Sequence, residues 1–413
     1  MFRQKACQTY FALVIFLLIP FLADIVKMRL LSQIPDTSGF SVSGHMEWFD
    51  LINETLQAFL VVPLYRLFSV HREKMGRFLS FTVCTASGIY LVFSIVILCC
   101  TGELVSAMNA SASGEILTYL RLETAAFIVG FFSSIALAYF AANRESACIW
   151  IASLLKTAGC LLSFSVLIPV FGVNGVALSN LVINASLSLC MACVLLRRKK
   201  NLPGKPCFDR HYAREWGRIG FFSGLQVFLD NFIYAVMVCR MVNEVSGQGT
   251  YWAVNNIIWG LFLVPFLAMS ELLRTQTEDT AKTAFRKWKP VLISVYVLWT
   301  AGLIFADPIV RAAAGSAGRG AAGLLRLLLL YYTAYGLTAV FDGLLTARGK
   351  TNLLALISVI VNIGYYGIVY LLFRRGAFQP TIWFAAHMFG IGMIVHLAVS
   401  LFLFRKELFS GNG

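Results

Sequence analysis

The sequence predicts an all-α integral membrane protein with twelve transmembrane helices in two six-helix lobes, related by pseudo-two-fold symmetry. Three observations support this fold class. The 413-residue chain is 59% hydrophobic and only 13% charged. Apolar stretches of about 20 residues, long enough to cross a bilayer, recur along it. Its Lys and Arg residues lie mainly between alternate stretches, as they do in the cytoplasmic loops of membrane proteins.

The composition excludes an ordinary soluble protein. Soluble domains carry about 25% charged residues because their surfaces face water, and the mean hydropathy of this chain is +0.76. A larger core cannot absorb the apolar excess, since single hydrophobic cores stop growing at about 250–300 residues. Much of the apolar surface is therefore expected to face lipid, and the lipid bilayer is a predicted partner.

The apolar stretches, with the polar breaks between them, give twelve predicted spans. Each is long enough to cross the hydrocarbon core with some tilt. The predicted spans are 8–29, 47–68, 78–101, 117–142, 148–170, 174–197, 216–240, 250–273, 288–312, 322–347, 352–373 and 380–405.

The distribution of positive charge predicts the orientation. A net charge of +14 suggests nucleic-acid binding in a soluble protein, but here the basic residues follow the topology of a membrane protein, so no nucleic-acid partner is predicted. Arg3 and Lys5 precede the first span, and the strongly basic segment 198–215 follows the sixth. Placing both on the cytoplasmic side leaves Arg374 and Arg375 as the main basic pair outside. Both termini are therefore expected in the cytoplasm.

The two halves of the chain resemble an internal repeat. Asp24 in the first span matches Asp230 in the seventh, and Asn53 in the second matches Asn255 in the eighth, at a spacing of about 204 residues. Six spans in each half give the halves parallel topology. The predicted organisation is an N-terminal lobe at 1–200, a basic cytoplasmic linker at 201–215 and a C-terminal lobe at 216–413.

Acidic residues inside the predicted spans are the strongest functional candidates. A carboxylate at membrane depth costs at least about 2.5–3.5 kcal/mol, so such residues usually face a cavity and have a function. Asp24 follows Pro20, which removes a backbone hydrogen bond one turn earlier and allows the helix to bend. Asp230 has no basic residue near it in sequence, so its charge must be offset elsewhere in the fold or by a bound cation. The alternative role for Asp24 is an ion pair with Lys27 or Arg29.

Amides and further acids at related places complete the set of candidates. Buried amides also join transmembrane helices, with energies of about 0.6–2 kcal/mol, so cavity lining and helix contact both remain open for them. Asp342 could simply pair with Arg348. No catalytic or metal-ligating cluster is apparent, so neither an enzyme nor a metal site is predicted. The candidate residues for ion coupling or substrate binding are Asp24, Asp230, Asn231, Asn53, Glu54, Asn255, Asn256 and Asp342.

Three segments carry a resemblance to a known transporter family. They are Pro20-Phe-Leu-Ala-Asp24, with an acid late in the first span, Phe171-Gly-Val-Asn-Gly-Val-Ala-Leu-Ser179 at the start of the sixth, and Asp342-Gly-Leu-Leu-Thr-Ala-Arg-Gly-Lys-Thr351 at the end of the tenth. In these segments the chain resembles the multidrug and toxic compound extrusion (MATE) family. The resemblance implies two six-helix lobes around a central cavity that opens alternately to either side, driven by a proton or sodium gradient.

The predicted function is therefore a cation-coupled secondary antiporter that exports amphipathic, cationic small molecules by alternating access. The predicted coupling ion is H⁺ or Na⁺, and no other cofactor is expected. A monomer in the cell (plasma or inner) membrane suffices, because one chain holds both lobes.

A flippase for a lipid-linked oligosaccharide or a cell-wall precursor is the alternative. Such a protein needs basic residues at membrane depth to hold a pyrophosphate. Only Lys156 lies clearly within a span, and four arginines lie near span edges. These arginines are Arg29, Arg121, Arg240 and Arg326.

Overall fold

A computed structural model describes residues 2–31, 47–71, 75–108, 114–197, 208–239, 248–314, 321–379 and 381–409. Within these ranges all regular secondary structure is helical. The chain divides into two compact units, Met1–Trp216 and Gly217–Gly413.

The described residues of the first unit form eight helices before the segment that leads to the second unit. They are α1 (Phe2–Leu31), α2 (Glu47–Leu60), α3 (Val62–Val70), α4 (Met75–Cys99), α5 (Thr101–Met108), α6 (Gly114–Asn143), α7 (Ser146–Phe171) and α8 (Val173–Arg197). Its core forms where α6 and α7 pack on α8 and where α1 packs on α7. Buried alanines such as Ala136 and Ala142 on α6 permit this close approach.

Nine helices are described for the second unit, and the first of them, α9, begins just before the boundary. They are α9 (Arg210–Ile233), α10 (Gln248–Ile257), α11 (Val264–Arg274), α12 (Ala281–Ile304), α13 (Ala306–Ala314), α14 (Ala321–Ala347), α15 (Thr351–Val361), α16 (Ile368–Arg374) and α17 (Ile382–Phe409). Helix α14 is central because both α11 and α17 pack against it. The Asp209 carboxylate caps α9 by accepting hydrogen bonds from the backbone N–H groups of His211 (2.8 Å) and Tyr212 (3.1 Å).

In the ranges described, three π-helical stretches of the second unit interrupt the regular helices. They are Tyr234–Cys239 after α9, Ile258–Phe262 between α10 and α11, and Asn362–Gly367 between α15 and α16. Such wider turns occur frequently at functional sites.

The turn between α7 and α8 depends on glycine. Gly172 ends α7 with a φ of 58°, and its N–H donates to the carbonyl of Ile168. A Cβ on Gly175 would lie 2.3 Å from the carbonyl oxygen of Leu167. Only glycine allows the first turn of α8 to lie this close to the end of α7.

Eight helices are long and apolar enough to cross a membrane, and two bent helix pairs raise the number to ten, counting only the described residues. The protein is therefore a multi-pass membrane protein, while the full number of twelve remains a prediction. The eight are Gln4–Leu31, Phe78–Cys99, Gly114–Asn143, Ser146–Phe171, Val173–Arg197, Ala321–Ala347, Thr351–Arg374 and Ile382–Arg405.

Three of the predicted spans contain a break in the helix. Span 288–312 is bent by 80° at Phe305, between α12 and α13. Span 250–273 is bent by 47° at Leu263, between its π-helical stretch and α11. Span 47–68 is interrupted at Val61. A proline lies in the first turn after each break, where its missing N–H is tolerated. These prolines are Pro308, Pro265 and Pro63.

Candidate functional site

Three helices of the first unit bring charged residues together. Helix α1 supplies Asp24 and Lys27, α2 supplies Asp50 and Glu54, and α6 supplies Glu123. We call these five residues the acidic cluster. Lys27 interacts electrostatically with Asp24, Asp50 and Glu123, and Asp50 also interacts with Glu54. Three carboxyl groups thus share one lysine.

Glu123 is the most buried acid of the cluster. Its side chain is only 7% exposed. The amide nitrogen of Asn180, on α8, donates to both carboxyl oxygens of Glu123 at 2.9 and 3.2 Å. A buried carboxyl group held by one neutral amide is able to accept a proton or a cation, because no adjacent base fully offsets its charge.

Asp24 forms the ion pair that was the alternative to a coupling role. Asp24 and Lys27 are one helical turn apart, and the distance from Lys27 Nζ to Asp24 Oδ1 is 2.5 Å. The Asp24 side chain is 57% exposed and that of Lys27 only 17%. Asp24 therefore lies at the accessible side of the cluster, and Glu123 lies at its buried side.

Asn53 lies beside the cluster and holds neighbouring helices. Its side-chain oxygen accepts hydrogen bonds from the Tyr90 hydroxyl at 2.6 Å and from the Gln57 amide at 3.3 Å. It also lines a cavity of about 220 Å³ that contains Lys156. Asn53 thus both lines a cavity and contacts another helix. The neighbouring Glu54 is exposed.

The second unit holds Asp230 among neutral hydrogen-bond donors. Ser358 Oγ and Asn362 Nδ2 both donate to Asp230 Oδ1, at 2.6 and 2.8 Å. Asn362 also donates to Ser358 Oγ at 2.9 Å. Ser358 is fully buried and Asn362 is 4% exposed. No basic side chain within the described ranges forms an ion pair with Asp230.

Irregular backbone lies on both sides of this group. Helix α9 becomes π-helical at Tyr234, one turn after Asp230, and a second π-helical stretch begins at Asn362 itself. The wider turns change the direction of the side chains that follow them. The Asp230 group, which we define as Asp230, Ser358 and Asn362, is thus built where two helices depart from regular geometry.

Asp342 lies near this group on α14. Gln226 Nε2 donates to Asp342 Oδ2 at 3.4 Å. Asp342 also interacts electrostatically with Asp230, His396 and Arg274. The sequence suggested a pair with Arg348 as the alternative role of Asp342. In the structure, the Arg348 guanidinium donates to the carbonyl of Gln276 at 3.1 Å.

The remaining candidates take different places. Asn255 is buried, donates to the Tyr234 hydroxyl at 3.2 Å and accepts from the Tyr332 hydroxyl at 2.9 Å, which is the geometry of helix contact. Asn256 is exposed, and Asn231 is half-buried beside Asp230.

The sequence prediction missed residues that the structure brings to both groups. Glu123 and Asn180 lie inside predicted spans 117–142 and 174–197, so the rule that selected Asp24 would have found Glu123. Asp50 lies near the start of its span and resembled an interfacial residue. Ser358 and Asn362 had no sequence signal, because buried serine and asparagine are common in membrane helices.

Two of the four arginines proposed for the alternative function, Arg326 and Arg121, give it no support. Arg326 forms an ion pair with Asp307 and donates to the carbonyl of Leu303 at 3.1 Å, so it is engaged at the bend after α12. Arg121 is exposed, and Arg240 lies outside the described residues. No set of three or more His, Cys, Asp or Glu side chains that could hold a metal ion occurs in the part of the chain that is described.

No protein-family model and no curated protein matches this sequence. Solved structures do match it. An outward-facing multidrug resistance MATE family transporter of the MOP superfamily superposes with a TM-score of 0.83 at 15% identity, covering 99% of this chain and 96% of that one. A MOP superfamily transporter from Pyrococcus furiosus, whose reversed pocket polarity is said to suggest a different function, gives 0.83 at 14% identity, covering 98% and 96%. A mutant Vibrio cholerae MATE transporter gives 0.81 at 14%, covering 99% and 98%.

Proposed function

We propose that this chain, which has the fold of MATE transporters, is a secondary antiporter that exports amphipathic small molecules by alternating access. H⁺ or Na⁺ moving inward drives the export. The observation that carries this proposal is the Asp230 group, in which a carboxylate inside a membrane helix accepts hydrogen bonds from the neutral side chains of Ser358 and Asn362.

The chemistry of the Asp230 group suits a small hard cation or a proton. Carboxylate, hydroxyl and amide oxygens are the ligands that hard cations prefer. In the described ranges no base neutralises Asp230, so a cation or a proton is the natural partner for its charge. Binding of either removes an uncompensated charge from the membrane interior and changes which conformation of the helix is favoured.

The acidic cluster supports a second coupling site in the first unit. It carries four carboxyl groups, three of which interact with Lys27, and its buried member, Glu123, is held by an amide. An excess of acids near membrane depth also attracts organic cations, which is why the first substrates to test are cationic. Aromatic amphipaths fit best, because aromatic side chains bind flat cations through their ring faces.

The membrane arrangement follows from the same proposal. Twelve spans with both termini in the cytoplasm place the basic linker 201–215 on the cytoplasmic side. One chain contains both units, so a monomer in the cell membrane is sufficient for transport.

The proposal is tested in proteoliposomes that contain the purified protein and a fluorescent aromatic cation such as ethidium. Transport is followed after a pH gradient or a Na⁺ gradient is imposed separately, so that the driving ion is identified. We expect Asp230→Asn to slow gradient-driven transport at least 10-fold. Asp24→Asn and Glu123→Gln separate the exposed and buried members of the acidic cluster.

Glu115→Gln is the matched control, because Glu115 lies exposed at the start of the same helix as Glu123. It should transport at the wild-type rate. If neither gradient drives transport, or if Asp230→Asn and Glu123→Gln both keep the wild-type rate, cation coupling through these acids is wrong.

A further inference from the structure

A cavity inside the first unit contains a single positive charge. It has a volume of about 220 Å³ and is lined by side chains of α1, α2, α6, α7 and α8. Among the described residues, Lys156 is the only charged one in its wall, and no Asp or Glu of these ranges lines it. We call it the Lys156 cavity. Its polarity is thus opposite to that of the acidic cluster.

In the described part of the chain, Lys156 interacts electrostatically with Asp24, but at a longer distance than an ion pair. No carboxylate there forms an ion pair with it, and its ammonium lies over the ring of Phe16, 4.6 Å from the centroid. A cation–π contact offsets only part of the cost of keeping an ammonium group at membrane depth. A bound anion would offset the rest of this cost.

The other polar groups of the wall include both donors and acceptors, since Asn184 and Ser133 donate to backbone carbonyls and their oxygens remain as acceptors. Asn53 uses its oxygen to accept from Tyr90 and Gln57, which occupies both lone pairs and leaves its amide N–H groups for the cavity. Ser134 adds a hydroxyl group. Donors beside one ammonium group are the arrangement that holds a carboxylate.

The apolar part of the wall defines the rest of the ligand. Phe16, Phe127 and Phe131 present rings to the cavity. Its volume is below the range of about 300–1,000 Å³ that is typical for drug-sized ligands. The space therefore fits a small aromatic molecule or one end of a longer amphipath.

We propose that the Lys156 cavity binds the carboxylate of a small aromatic acid, with Lys156 as its charge partner, Asn53 and Ser134 as donors and the phenylalanines around its ring. An amphipath that carries both charges would use this cavity for its acid group. The site does not depend on cation coupling, since it is defined by its own wall.

The test measures binding without a gradient, in nanodiscs that contain the full chain, by isothermal titration calorimetry. The probes are 2-naphthoate, its neutral amide and the corresponding aromatic amine. We expect the acid to bind at least 10-fold more tightly than the amide, and the amine to bind most weakly. Lys156→Met should remove the preference for the acid over the amide.

Two further variants keep the test decisive. Lys5→Met makes the same charge change at an exposed position of α1 and should keep the preference for the acid. Ser134→Leu fills part of the cavity and should weaken the acid and the amide alike, which gives a result even if Lys156→Met fails to fold. Equal binding of acid and amide by the wild type, or an unchanged preference in Lys156→Met, would overturn the proposal. Loss of transport in Asp230→Asn has no bearing on this result.

Discussion

Gly175→Ala is expected to destabilise the first unit through the turn between α7 and α8. The added Cβ would lie 2.3 Å from the oxygen and 2.7 Å from the carbon of the Leu167 carbonyl, and 2.9 Å from the Cα of Ile168. These are backbone atoms, so no side-chain rotation relieves the contact, and one helix must shift. The cost should fall at the upper end of the range for overpacking, about 2–3 kcal/mol.

The measurement is the melting temperature of the purified protein in detergent. A loss of about 2–3 kcal/mol in a unit of this size lowers Tm by about 4–12 °C. Because Asn180 follows within two turns on α8, the shift should also move its amide away from Glu123 and slow transport. A fall in Tm without any change in transport would mean that the turn supports packing and not the acidic cluster.

Gly88→Ala is the control for this prediction. Gly88 lies inside α4, and a Cβ there would meet nothing within 4 Å. Alanine in a helix interior is favoured over glycine by about 0.5–1 kcal/mol, so Tm should stay the same or rise slightly. If the two variants melt within one degree of each other, the inferred close approach at Gly175 is wrong.

Three other predictions concern side chains. Asn180→Leu removes both hydrogen bonds to Glu123 and should lower stability by about 1–3 kcal/mol, measured as Tm; an unchanged Tm contradicts the pairing. Ser358→Ala removes the 2.6 Å hydrogen bond to Asp230 and should change the concentration of coupling ion for half-maximal transport by about 10-fold; an unaltered ion dependence removes Ser358 from the site. Arg326→Met breaks a half-exposed ion pair and should cost at most about 1 kcal/mol, so a Tm loss of many degrees would refute the surface role.

The helical fold was predictable because lipid leaves apolar stretches few alternatives. Each predicted span has helix at its position among the described residues, since the bilayer sets both the length and the composition of such a segment. The bends were harder to predict. The break at Phe305 depends on Pro308 in the turn that follows and on how the neighbouring side chains pack. The average hydropathy of the span contains no information about either.

The candidate site was predictable only where one residue was sufficient to reveal it. Asp24 and Asp230 are acids inside apolar stretches, so the energetics of the membrane selected them. Their partners lie far away in sequence. Glu123 and Asn180 are 57 residues apart, and Asp230 and Asn362 are 132 residues apart. Such pairs follow from helix packing, and the periodicity of one segment does not reveal them.

The π-helical stretch at Asn362 has a consequence for two neighbouring tyrosines. The Tyr365 hydroxyl donates to the carbonyl of Met388 at 2.7 Å, and the Tyr366 hydroxyl donates to that of Phe389 at 3.3 Å. In a regular helix, consecutive side chains diverge by about 100°, whereas the wider turn reduces this angle and lets both reach α17.

A π-helical turn also contains one more residue than the α-helical turn from which it derives. It is therefore equivalent to an α-helical turn with one inserted residue. Chains of this fold that lack one residue between the equivalents of Ser358 and Tyr366 should have a regular helix here and only one tyrosine anchored to the last helix. Deleting Gly364 should likewise give a regular helix in this protein, and a Tyr366 hydroxyl that stayed on α17 in the resulting structure would contradict this reasoning.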